Sequence, residues 1–79
     1  MIHKPKANTL IAIWFLDHVQ GDDKPVDCIV FGRVHTATEI AITVKCWDYM
    51  APRPSLDHNI ETFTILQSTI KKITRYGKI

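Results

Sequence analysis

Four histidines, two cysteines and a group of aspartates are the side chains of this sequence most able to do chemistry. His3, His18, His35 and His58 are candidate metal ligands, and the dipeptide Asp17–His18 recurs as Asp57–His58. Zinc sites use spacings that converge, such as paired cysteines or two histidines one helical turn apart. No such spacing occurs here, so the histidines read as exposed loop residues and no metal is expected. Cys46 or Cys28 with His35 would pair a nucleophile with a base, but a nucleophilic thiol needs an electropositive, partly exposed setting. Both cysteines fall in phase with apolar neighbours, Cys28 with Val30 and Val34, Cys46 with Ile42 and Val44, which reads as packing. Asp17, Asp22 and Asp23 lack the calcium-loop pattern, and a solvated turn accounts for them. The sequence therefore points to no catalytic residue and no cofactor. A non-enzymatic protein is expected.

What remains is a set suited to binding. Arg33, His35, Lys45, Trp47, Tyr49 and Arg53 bring cations and aromatic rings within a short stretch, and Trp14 adds a further ring. Bases stack on aromatic faces while basic side chains hold phosphates. Lys45 and Trp47 share one face of a strand, and Arg33 and His35 share a face of its neighbour, so a mixed patch follows from the alternation. The plainer account is that Trp47 closes one end of the core and the charges are simply solvated. Lys71, Lys72, Arg75 and Lys78 make the C-terminal segment basic, a common way to protect an edge strand.

These residues depend on strands for their placement. Val26 to Asp48 reads as two strands joined by a tight polar connection. Cys28, Val30, Gly32 and Val34 alternate with Ile29, Phe31, Arg33 and His35, and a glycine inside a strand marks a sharp bend or a close backbone approach. After HTATE, Ile40, Ile42, Val44 and Cys46 alternate with Ala41, Thr43, Lys45 and Trp47, the cleanest period-two signal in the chain. Before this pair, TLIAIWFLD (9–17) is apolar throughout. Its length fits strand or helix, and its Ile, Trp and Phe favour a strand. As a strand it is apolar on both faces, and so asks for cover on both. HVQGDDKP (18–25) is a loop, and DYMAPRPSLDHN (48–59) is a long one, since two close prolines exclude a helix or central strand. IETFTILQ resumes as a strand with Phe63 and Ile65 on one face. IKKITRY reads as a last strand entered through one helical turn, because Thr69, Ile70, Ile73 and Thr74 are β-branched. A C-terminal helix along Leu66, Ile70 and Ile73 is the competing reading.

The totals fit this plan. Seventy-nine residues, 46% hydrophobic and 23% charged, make one small domain with a thin core over 9–79, led by a flexible polar segment over 1–8. A net charge of +2 is too weak to argue for nucleic acid alone. No apolar run approaches a membrane span or a signal peptide, so a cytoplasmic protein with reduced, buried thiols is expected, although a Cys28–Cys46 disulfide would follow if the two lay opposite.

The stretches GRVHTATEIAITV and FTILQSTIKKI resemble the two motifs of Sm-like proteins, and the strand plan is similar to SH3-like and Sm-like small barrels. That resemblance implies a mostly β fold, a five-stranded, strongly bent antiparallel small barrel, with ring or edge-strand assembly. Where Sm proteins usually carry the Asp and Asn that bind an RNA base, this chain has Thr36, Ala37, Thr38 and Glu39, so RNA binding is not carried over. The expected function is a self-associating binding module for a protein partner or a nucleotide-type ligand, acting through 48–59 and the Arg33, His35, Lys45, Trp47, Tyr49 and Arg53 surface. Its size suits an accessory protein such as a phage or mobile-element product. An Sm-like RNA or single-stranded nucleic-acid binding protein is the alternative, and no membrane role is expected.

Overall fold

β-Branched and aromatic residues fill five strands in the computed structural model, which describes residues 2–17, 24–47 and 61–78. They are β1 (Thr9–Asp17), β2 (Val26–Ala37), β3 (Ala41–Lys45), β4 (Thr62–Leu66) and β5 (Ile70–Lys78). A 3₁₀ turn, Gln67–Thr69, leads into β5. All neighbours run antiparallel in the order β4-β3-β2-β1-β5. The C-terminal segment is therefore a strand and not a helix, as its β-branched residues require. Among the described residues β4 and β5 are the two edges of this sheet and do not pair, so closure into a barrel is not seen.

The period-two alternation fixes which side chains are covered. Ile11 and Ile13 of β1, Val34 of β2, Ile42 and Val44 of β3 and Ile65 of β4 form the core. Phe15, Val30, Ala37, Ile70 and Ile73 pack against it. Cross-strand partners share a face, so Gly32 opposite Ile11, Val30 opposite Ile13 and Cys28 opposite Phe15 all point inward. On the outer face of β1, Ala12 is buried while Trp14 is exposed. There the small Ala12 lies between Phe31 of β2 and Thr74 of β5. The expected two-sided apolar character of β1 is thus partly met inside its own sheet.

β2 belongs to two halves of the sheet. Its residues 26–33 pair with β1, and its residues from Arg33 onward pair with β3. Arg33 is the handover, opposite Leu10 on one side and Lys45 on the other. The closest approach of β3 sits one residue earlier, at Gly32. A Cβ there would lie 2.5 Å from the Lys45 carbonyl oxygen and 2.5 Å from Val44 Cγ1, so only glycine lets β3 cross this closely. A register shift between Val34 and Thr36 then leaves His35 in a bulge.

The β2–β3 connection is closed by Thr38. Its N–H donates to Ala41 O at 2.9 Å, and its hydroxyl accepts from the N–H groups of Ile40 and Ala41 at 3.2 Å. This places Ile40 in the turn ahead of β3, where it is exposed, and not on the apolar face expected for it. Cys46 likewise falls past the end of β3 and is exposed, while Cys28 is half-buried. Neither is the buried core thiol expected. Extending the β2–β3 register sets Cys46 level with Gly32, four residues from Cys28, and both are free thiols.

The chain ahead of β1 is joined to the far end of the sheet through buried Gln67. The Gln67 side chain accepts from the His3 N–H at 3.1 Å and donates to the His3 carbonyl and, at 3.0 Å, to Thr38 O. Its own N–H donates to Ile40 O at 2.8 Å.

Replacing Gly32 by alanine should destabilise the fold by about 1–3 kcal/mol, the usual cost of forcing extra volume into a packed site. Urea unfolding of Gly32→Ala measures this. A loss below about 0.5 kcal/mol, the scale of an ordinary surface change, would mean that β3 does not press on β2 at this point.

Candidate nucleotide-binding face

Arg33 and Lys45 are direct cross-strand partners, and their row continues to Leu10 in β1 and Thr62 in β4. Paired residues on a sheet have Cβ atoms about 5 Å apart, so two cationic side chains rise from one spot on the outer face. Both residues are half-buried. Two residues back along β2 on the same face is Phe31, 59% exposed. Because β3 runs antiparallel to β2, Trp47 follows Lys45 in the direction of Phe31, and it is 46% exposed. His35, in the bulge two residues beyond Arg33, is exposed.

Four of the six residues singled out from sequence are thus described, and the register joins Arg33 to Lys45. Tyr49 and Arg53 lie outside the described residues, as does the 48–59 loop. The sequence reading left out Phe31 and Ile29, although the alternation that selected Arg33 and His35 puts them on the same face. Both are exposed, and with Trp14 they make the apolar half of this face.

Next to Phe31 the sheet opens. A cleft of about 550 Å³ runs between the first half of β2 and the start of β4, lined by Phe15, Val30, Phe31, Cys46, Phe63 and Ile65 among others. Among the described residues, β3 pairs with β2 only from Arg33 onward, and the preceding part of β2 pairs with β1 alone.

At the far end of the outer face, Trp14, Asp27 and Lys71 tie three adjacent strands together. The Trp14 indole N–H donates to Asp27 Oδ1 at 2.7 Å. Lys71 Nζ donates to the same oxygen at 3.1 Å and stands 4.5 Å from the Trp14 ring centre, a cation–π distance. The indole hydrogen bond first, and then the Lys71 hydrogen bond and charge, hold the Asp27 carboxyl below the ordinary carboxylate range.

Among the described residues, no three His, Cys, Asp or Glu side chains are placed to hold a metal ion. His18, His58, Asp22 and Asp23 are outside those residues. No helix among the described residues is long and apolar enough to cross a membrane. No family model, curated protein or solved structure matches the chain.

The lowered Asp27 value sets the sign of an acid effect. A carboxyl more acidic when folded contributes stability that is complete above its unfolded titration range. That contribution is lost as pH falls through the folded value. Asp27→Asn should flatten this acid limb in urea unfolding followed across pH by tryptophan fluorescence. An unchanged acid limb in the variant would assign the effect to other carboxylates.

Proposed function

We propose that this protein is a non-enzymatic binding module whose outer face takes a nucleotide-type ligand. The observation that carries the reading is the Arg33–Lys45 cross-strand pair with Phe31 next along the same face. Paired cations suit a phosphate, and an exposed ring at a residue pair's distance suits the base attached to it. Trp47 supplies a second ring toward the same side, and His35 lies at the margin. An exposed, free Cys46 fits a reducing compartment such as the cytoplasm.

The strand order β4-β3-β2-β1-β5, with one 3₁₀ turn before the last strand, supports the Sm-like or SH3-like small-barrel reading. It favours, as the second reading, a single-stranded nucleic-acid binder of that kind. The two readings differ in length of ligand. A mononucleotide satisfies one phosphate site, whereas a strand would also engage the basic residues of β5.

Fluorescence titration of the chain with nucleotides and with short random oligonucleotides tests both. Each phosphate neutralised on a single strand contributes a slope of about −0.7 to log K against log[salt]. Binding through Arg33 and Lys45 alone should give a slope near the value for two contacts, about −1.4. Arg33→Glu with Lys45→Glu should abolish the binding while the strand spectrum is kept. Affinity that ignores salt, or survives the double charge reversal, would remove the phosphate from this face.

A further inference from the structure

We propose that β4 is a homodimer edge, in which Thr62–Leu66 of two copies pair antiparallel about Thr64 and join two sheets into one. The inference stands without the ligand reading, since it uses the outward main-chain groups of β4, whereas Arg33 and Lys45 are on β2 and β3.

Backbone parity shows what this edge offers. The Gln67 N–H donates to Ile40 O, so at that point the chain turns its hydrogen-bonding groups toward β3. Alternate residues of a strand point their N–H and C=O to opposite sides. Ile65 and Phe63 therefore also bond to β3, while Thr62, Thr64 and Leu66 present theirs to the side that no strand pairs among the described residues. The Thr43 and Thr64 hydroxyls, 3.3 Å apart, agree with this, because side chains approach closest in the pairs that do not exchange main-chain bonds. A second copy turned about Thr64 sets Thr62 opposite Leu66, and all three residues then bond in pairs, giving about six main-chain hydrogen bonds.

The two edges of the sheet are protected differently. β5 carries Lys71, Lys72 and Arg75, and its pairing with β1 shifts register between Leu10 and Ile11 and again between Trp14 and Phe15. Charge and bulging are the devices that keep an edge from templating another strand, and a β5–β5 pair would set like charges together. β4 has no charge, no proline and an unbroken register with β3, and among the described residues its protection is its shortness. It also carries a large, half-exposed apolar side chain on each face, Phe63 inward at 50% and Leu66 outward at 52%. Pairing would cover both with the continued sheet. The charge pattern thus selects a second β4 as the occupant of the β4 edge.

Sedimentation velocity of the full chain under reducing conditions, over a range of concentrations, should show a monomer–dimer equilibrium built on the 9.1 kDa chain. Thr64→Pro removes an outward donor from each copy and leaves the β3 ladder intact. It should raise the dissociation constant at least about tenfold. Thr64→Lys, which keeps the backbone and opposes two ammonium groups, should weaken the dimer in the same sense. Thr74→Lys on β5 should leave it unchanged. With Cys28 and Cys46 replaced by serine, Thr64→Cys should oxidise to a covalent dimer, because paired residues with Cα atoms about 5.5 Å apart are within disulfide reach. A chain that stays monomeric at every concentration, assemblies that Thr74→Lys breaks, or a Thr64→Cys variant that forms no covalent dimer would each overturn the proposal.

Discussion

The close crossing of β3 over Gly32 is the constraint on which the rest of the molecule depends. A side chain there would collide with the Lys45 carbonyl and with Val44, one of the fully buried core residues. Because no side chain is there, β3 can lie close to β2, which passes from β1 to β3 at Arg33. That change of partner does two things at once. It brings Val34 onto Val44 inside, and it brings Arg33 beside Lys45 outside. The core contact and the candidate ligand face are two sides of one crossing, so neither can move without the other.

A second tie holds the periphery to that centre. Gln67 has no charge, yet it is buried and every polar atom of its side chain has a partner. A buried amide left unpaired would cost on the order of 1–3 kcal/mol, so its partners His3 and Thr38 are held wherever Gln67 is held. Through it the segment before β1, the β2–β3 turn and the entry to β5 form one unit. The Trp14–Asp27–Lys71 cluster does the same at the other end of the outer face, but in solvent, where its charges are screened.

Much of this was legible in the residue pattern. The alternations in β2 and β3 are local and period-two, and they name Val34, Ile42 and Val44 as inward residues. Gly32 announces the close approach of β3, one of the two uses an interior strand glycine has. β-Branching separates strand from helix in β5. What escaped the pattern depends on where strands stop or on what meets over long separations. Ile40 and Cys46 are in phase with β3 but lie just outside it, so alternation alone placed them inside. The Gln67–His3 bonds join residues 64 apart, and nothing local signals them. Phe31 and Ile29 were read as a strand face without being read as exposed, because the short span of β3 that leaves the cleft open is not written in β2. Of the candidate site, Arg33 and Lys45 were named as members, but their direct opposition needs the register.

The position of β1 has a further consequence, for the order in which the protein is made. Synthesised first among the strands, β1 sits between β2 and the last strand, with Thr9 opposite Lys78. A ribosome therefore releases its most apolar segment long before the neighbour that will flank it exists. Until that neighbour emerges, β1 has one free margin and a row of unsatisfied amides along it. Sheets built from such distant partners form slowly and expose sticky intermediates meanwhile. During translation, the interval between these two strands is the period in which a nascent copy is most open to capture by a chaperone or by another chain.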